Sequence, residues 1–115
     1  GAGSDTAVVT VEATVIEPEQ TIFDLRALAK TDKADLVWTC VPGGVSYNIY
    51  RGTSTGGPYD LVATGHTSDY CTYADYGLET GTTYFWRVTS VEEDVESLLS
   101  NEASATPAEV IIRRR

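Results

Sequence analysis

No methionine occurs anywhere in the 115 residues, and the chain has one histidine, two cysteines and eight basic residues against seventeen acidic ones. Each shortage excludes something. A net charge of −9 argues against nucleic acid as a partner, because neutralising phosphates needs a basic face. Two cysteines are too few for a disulfide scaffold, and with a single histidine they are too few for a zinc site. No apolar run approaches the roughly 18 residues that a membrane span requires, so membrane insertion is not expected. At this length a single two-sheet core is the expectation, and two domains are not. The missing methionine suggests a piece excised from a longer protein, and Gly1, Ala2, Gly3 and Ser4 read as a cloning scar outside the fold.

What is present is strand. Residues 84–91 read Tyr-Phe-Trp-Arg-Val-Thr-Ser-Val, and a period of two sets Tyr84, Trp86, Val88 and Ser90 on one face and Phe85, Arg87, Thr89 and Val91 on the other. The first face is the expected core face. Leu78 followed six residues later by Tyr84, across a turn containing Gly81, has the form of a tyrosine corner, in which a Tyr hydroxyl caps the connection into a central strand.

Upstream, residues 5–17 alternate, with Val9, Val11, Ala13 and Val15 on one side, and residues 18–20 break the pattern as a linker. This extra N-terminal strand needs a partner for its ladder groups. The candidates are the last strand of a preceding domain, an added strand on this fold, or a homodimer formed by strand pairing of residues 5–17. Residues 24–29 form a short strand with Leu25 and Ala27 on one face; helix is the rival, but Pro18 and the turn at 30–33 leave it little length. Residues 34–40 put Leu36, Trp38 and Cys40 inward, with Trp38 at the centre of the core. Residues 46–51 place Tyr47 and Ile49 inward and Asn48 and Tyr50 outward. Residues 59–64 place Leu61 and Ala63 inward, 65–67 turn with His66 exposed, and 69–75 place Cys71 and Tyr73 inward. Glu92, Glu93 and Asp94 form a polar hairpin tip, and residues 95–107 form one last strand ending at Pro107.

With the strands in order, residues 21–107 resemble a fibronectin type III domain of the kind found between other modules in secreted bacterial proteins. The resemblance is carried by Leu25, by Leu36-Val37-Trp38, by Tyr47-Asn48-Ile49-Tyr50-Arg51 and by Gly57-Pro58-Tyr59. It continues through Tyr73-Ala74-Asp75-Tyr76-Gly77-Leu78, Gly81-Thr82-Thr83-Tyr84, Arg87-Val88, Glu96-Ser97 and the run from Ser100 to Pro107. It implies an all-β, immunoglobulin-like two-sheet sandwich of seven strands, three against four, with the N-terminal strand as an addition and residues 108–115 as a tail. It also implies termini at opposite ends and no catalytic residue. Cys40 and Cys71 lie outside the family pattern. Expected on adjacent antiparallel strands facing the core, they are either a disulfide or two buried free thiols.

No catalytic, cofactor or metal site is expected. His66 lacks a partner for base catalysis, and the acidic tip lacks the spaced ligands of a calcium loop. Arg51-Gly52-Thr53 is not an adhesion tripeptide of the Arg-Gly-Asp type. The candidate ligand face is the outer sheet surface bearing Asn48, Tyr50, Phe85 and Arg87, against the alternative that aromatic pairs merely stabilise an open face. The expected role is a non-catalytic spacer between neighbouring domains of a larger extracellular or cell-surface protein. The alternative is recognition of a carbohydrate or protein partner through that face or the end loops.

Overall fold

The computed structural model describes residues 21–43 and 45–109, and the expected N-terminal strand at 5–17, with its pairing, lies outside the described residues, as do residues 110–115. Among the described residues there is no helix. The elements are β1 (Arg26–Ala29), β2 (Lys33–Val37), β3 (Ser46–Gly52), β4 (Asp60–His66), β5 (Thr72–Tyr76), β6 (Tyr84–Glu92), β7 (Val95–Glu96) and β8 (Ala103–Ala105). One sheet runs β1-β2-β5; the other runs β4-β3-β6-β7, with β8 also paired to β6. All pairs are antiparallel. Because β7 and β8 line the same edge of β6, they are two halves of one strand, and among the described residues the sandwich has seven strands, three against four.

Period-two alternation explains which side chains meet between the sheets. Leu36, Ile49, Trp86 and Val88 are fully enclosed, joined by Trp38, Tyr47, Leu25 and Ala34. Trp38 packs edge-on to Tyr47 with ring centroids 5.0 Å apart, and Trp86, fully enclosed, is a second indole in the same core. Tyr73 and Tyr84 are only half-buried at the margin of this cluster. The Tyr84 hydroxyl accepts the Glu79 N–H at 2.9 Å, which is the tyrosine corner. Ile22 is also buried, a position that the alternation of β1 gave no reason to expect.

Several expectations are overturned. Leu61 points outward and is 52 % exposed, because the pairing slips between Ile49↔Ala63 and Tyr50↔Leu61; the extra residue, Val62, is a bulge that reverses the faces behind it. His66 ends β4 rather than sitting in an exposed turn; its ring meets Tyr73 edge-on, and its Nε2 lies 2.7 Å from the Thr72 carbonyl oxygen. The last strand is not continuous. Residues 97–102 are not strand, but Ser97 and Ser100 stay bonded to β6: their N–H groups donate to the Ser90 and Val88 carbonyls at 2.8 and 3.0 Å, and their hydroxyls accept the N–H groups of Ser90 and Val88 at 3.0 and 2.9 Å. Both donors are buried, where a backbone N–H needs a hydrogen-bond partner.

Cys40 and Cys71 are joined by a disulfide, with Cα atoms 5.4 Å apart. They flank the ends of the adjacent strands β2 and β5, where the Trp38 N–H donates to the Cys71 carbonyl. Cys71 is buried, but Cys40 is exposed rather than facing the core, since the strand ends at Val37 and alternation ends with it.

The β6–β7 hairpin turns at Glu93 and Asp94, whose φ values are +50° and +66°. A two-residue turn with both central residues in the left-handed region favours Asn-Gly, which adopts it at little cost. Replacing Glu93 by Asn and Asp94 by Gly together is expected to stabilise the domain by about 1 kcal/mol. A fall in the thermal midpoint of that variant would contradict the turn assignment.

A candidate groove on the four-stranded sheet

The outer surface of the four-stranded sheet is built by the residues that alternate with the core. Tyr50 lies opposite Arg87 and Asn48 opposite Thr89 across β3 and β6, while Glu96 on β7 lies opposite Val91. These positions gather around the Glu96 carboxylate. Its Oε2 accepts from Thr89 Oγ1 at 2.6 Å, from Asn48 Nδ2 at 3.1 Å and from the Tyr50 hydroxyl. Burial alone pushes the Glu96 carboxyl up, but the bonds from Thr89, Tyr50 and Asn48 outweigh it and hold the group below the usual carboxylate range. Burial and then the neighbouring Glu96 push the Tyr50 phenol up, so it keeps its proton.

A second cluster adjoins the first. Arg87 lies over the Tyr59 ring at 5.5 Å, donates from Nε to the Tyr59 hydroxyl at 2.8 Å and from NH1 to the Ser100 carbonyl at 2.6 Å, and stands 3.9 Å from Glu102. Tyr59 reaches this position because the chain folds back over Gly52. A Cβ at residue 52 would run into the Pro58 carbonyl oxygen and the Tyr59 ring. Glu102 accepts from Thr55 Oγ1 at 2.6 Å, from the Tyr59 hydroxyl and from the Gly56 N–H at 2.7 Å, and these bonds hold its carboxyl down to about 2.

That depressed value has a pH consequence. The bonds to Glu102 stabilise the fold fully above its ordinary value of 4.5, and the contribution is lost as pH falls through about 2. The difference in thermal midpoint between the native domain and Glu102→Gln is expected to shrink across that window. A constant difference down to about pH 2 would remove Glu102 as the cause.

Between the clusters lies an open groove of about 360 Å³, lined by Tyr50, Tyr59, Thr89, Glu96, Ser97 and Leu99. Of the four residues expected to form a ligand face, Tyr50 lines it and Asn48 and Arg87 support it from below and beside. Phe85 does not line it; it sits further along β6, opposite Gly52 and Ser104. Sequence reasoning missed Tyr59 and Glu96 as site residues. Their signal was faint: Tyr59 comes into place only through the fold-back at Gly52.

The core face holds a further polar cluster. Asp75 is 4 % exposed, accepts the Trp86 Nε1–H at 2.8 Å and receives Arg51 NH1 on both oxygens at 3.0 Å. Arg51 in turn lies over the Tyr84 ring at 5.6 Å. A fixed tryptophan and a paired carboxylate on one face serve packing and orientation.

The described chain enters beside Cys40 and Val41, where Ile22 and Phe23 share a surface hollow with them. It leaves at the other end of β1, where the Ala108 N–H donates to the Lys30 carbonyl. Its ends therefore lie at opposite ends of the sandwich.

A two-sheet sandwich with three strands against four, a tyrosine corner and opposed ends defines an immunoglobulin-like module. No family model matches the chain. It is 38 % identical to a fibronectin type III-like protein from Clostridium thermocellum of known structure, with a TM-score of 0.68, covering 79 % of this chain and 95 % of that one. A β-1,2-glucanase structure from Parabacteroides distasonis contains a segment 26 % identical, with a TM-score of 0.67, covering 80 % of this chain and 14 % of that one. Among curated sequences, an amylopullulanase from Thermoanaerobacter thermohydrosulfuricus is 46 % identical over 90 residues, 77 % of this chain. The chain belongs to the fibronectin type III family. It spans about 6 % of the length of that amylopullulanase, so the similarity is to one segment of a large multidomain protein.

Proposed function

We propose that this domain is a non-catalytic spacer that sets the distance and orientation between neighbouring domains of a larger extracellular or cell-surface protein acting on polysaccharide. The observation that carries this reading is the position of the chain ends, which lets the module be threaded in line with others. The match to a small segment of much longer enzymes supports the same reading. Neighbouring domains of the parent chain are then its constant partners, and chemistry resides in them.

A second reading, recognition of a carbohydrate or protein partner by the outer face, is favoured by the groove between Tyr50 and Tyr59. Titration separates the two readings. Maltotriose, pullulan and a basic peptide are added to the isolated domain while tryptophan fluorescence and amide shifts are followed. A pure spacer leaves the spectra unchanged. Saturable shifts around the groove that vanish in Tyr50→Ala, with folding retained, would replace the spacer reading by recognition.

A further inference from the structure

The groove between Tyr50 and Tyr59 has an uncommon hydrogen-bonding character. Every side-chain hydroxyl that lines it has already committed its proton. Tyr50 and Thr89 donate to Glu96, Tyr59 donates to Glu102, and Ser97 donates to the Leu98 carbonyl at 2.9 Å. What the lining side chains retain are acceptors: lone pairs on the hydroxyl oxygens and the carboxylate of Glu96. The walls are two tyrosine rings and Leu99, which is 47 % exposed. An acceptor-only floor with one negative charge and aromatic walls suits a group that only donates and is positively charged.

We propose that this groove receives a guanidinium or alkylammonium side chain of a partner polypeptide, seated against Glu96 between the Tyr50 and Tyr59 rings. The neighbouring Arg87 does not occupy the site. Its guanidinium is taken up by the Tyr59 hydroxyl, the Ser100 carbonyl and Glu102, beside the groove. Complementarity of charge extends beyond the groove, since the chain as a whole carries −9 and attracts basic segments over a Debye length. A neutral sugar could donate hydroxyl protons to the same floor, but it would leave the charge of Glu96 unmatched. The inference rests on the recognition reading and gives it a ligand class.

The test is a tri-arginine peptide titrated into the whole domain and followed by amide shifts, with maltotriose as the neutral probe. The expected result is saturable shifts centred on Tyr50, Glu96 and Leu99, weakened severalfold between low and physiological salt. Glu96→Gln is expected to weaken binding at least tenfold, whereas Glu109→Gln, an equal charge change remote from the groove, changes it less than twofold. Because Glu96→Gln could also loosen the sheet, Leu99→Arg is the second variant: it places a competing cation at an exposed position on the rim and is expected to abolish binding with the fold intact. Equal effects of Glu96→Gln and Glu109→Gln would show only diffuse attraction to an acidic body and overturn the proposal. Maltotriose shifts without peptide shifts would overturn it while leaving recognition standing; no shifts with either probe would remove both.

Discussion

Asp75→Ala is expected to cost about 3 to 5 kcal/mol, the penalty of breaking a buried ion pair by removing one partner. Asp75 has only 5 % of its side chain exposed, and its carboxylate holds the Trp86 indole N–H at 2.8 Å and Arg51 at 3.0 Å. Its loss strands a buried indole donor in the centre of the core and leaves a half-covered guanidinium over Tyr84 without its counter-charge. Asp75→Asn should cost less, since an amide oxygen can still accept from Trp86. Combining it with Arg51→Met removes both charges and should recover part of that loss, giving a coupling of more than about 1 kcal/mol. Urea denaturation of the four proteins measures this. Additive losses would mean that the pair is not the unit described.

Removing the disulfide has the second large effect. Cys40 and Cys71 are separated by 31 residues, and releasing that loop in the unfolded chain costs about 3 to 4 kcal/mol on the chain-entropy model. For a domain of this size that is a fall in thermal midpoint of about 15 °C or more. Cys40→Ala with Cys71→Ala, or reduction of the native domain, should give the same fall. The fold itself should persist, because Cys40 is exposed and Cys71 contributes only a small part of the core, against the Tyr47 hydroxyl at 3.6 Å. An unchanged midpoint after reduction would contradict this account of the bridge.

Much of the sandwich was legible because its central strands alternate without interruption. Tyr47 and Ile49, and Trp86 and Val88, could be assigned inward by parity alone, and the tyrosine corner announced itself by the interval from Leu78 to Tyr84. The same parity carried a signal that went unread. Arg51 follows Tyr47 and Ile49 on the inward register, and Asp75 follows Cys71 and Tyr73; two opposite charges at inward positions imply a buried pair, and the structure contains it. Leu61 was misplaced because a one-residue bulge leaves no mark in a hydrophobic pattern yet reverses every face beyond it. The break between β7 and β8 was hidden for a related reason: serine hydroxyls supply half of the bonds a regular ladder would make, and serines look the same in a strand and in a bulge.

The site was less legible than the fold. Tyr50 was recognisable as an outward aromatic, but Glu96 gains its importance from three donors on two other strands, and Tyr59 from a chain reversal that only an absent side chain at Gly52 permits. Cross-strand constellations of this kind depend on register, which the sequence specifies only indirectly.

The spacer reading depends on a domain that holds its two ends apart, and a distance between labels at residues 21 and 109, with the native disulfide intact, tests it most directly. Thr21 and Lys30, beside which the chain leaves, are nine steps apart along the chain, and the last four residues before Lys30 form β1. The account therefore predicts a single narrow distribution centred near about 30 Å. A broad distribution, or one centred below about 15 Å, would place the ends flexibly or on the same side and contradict it.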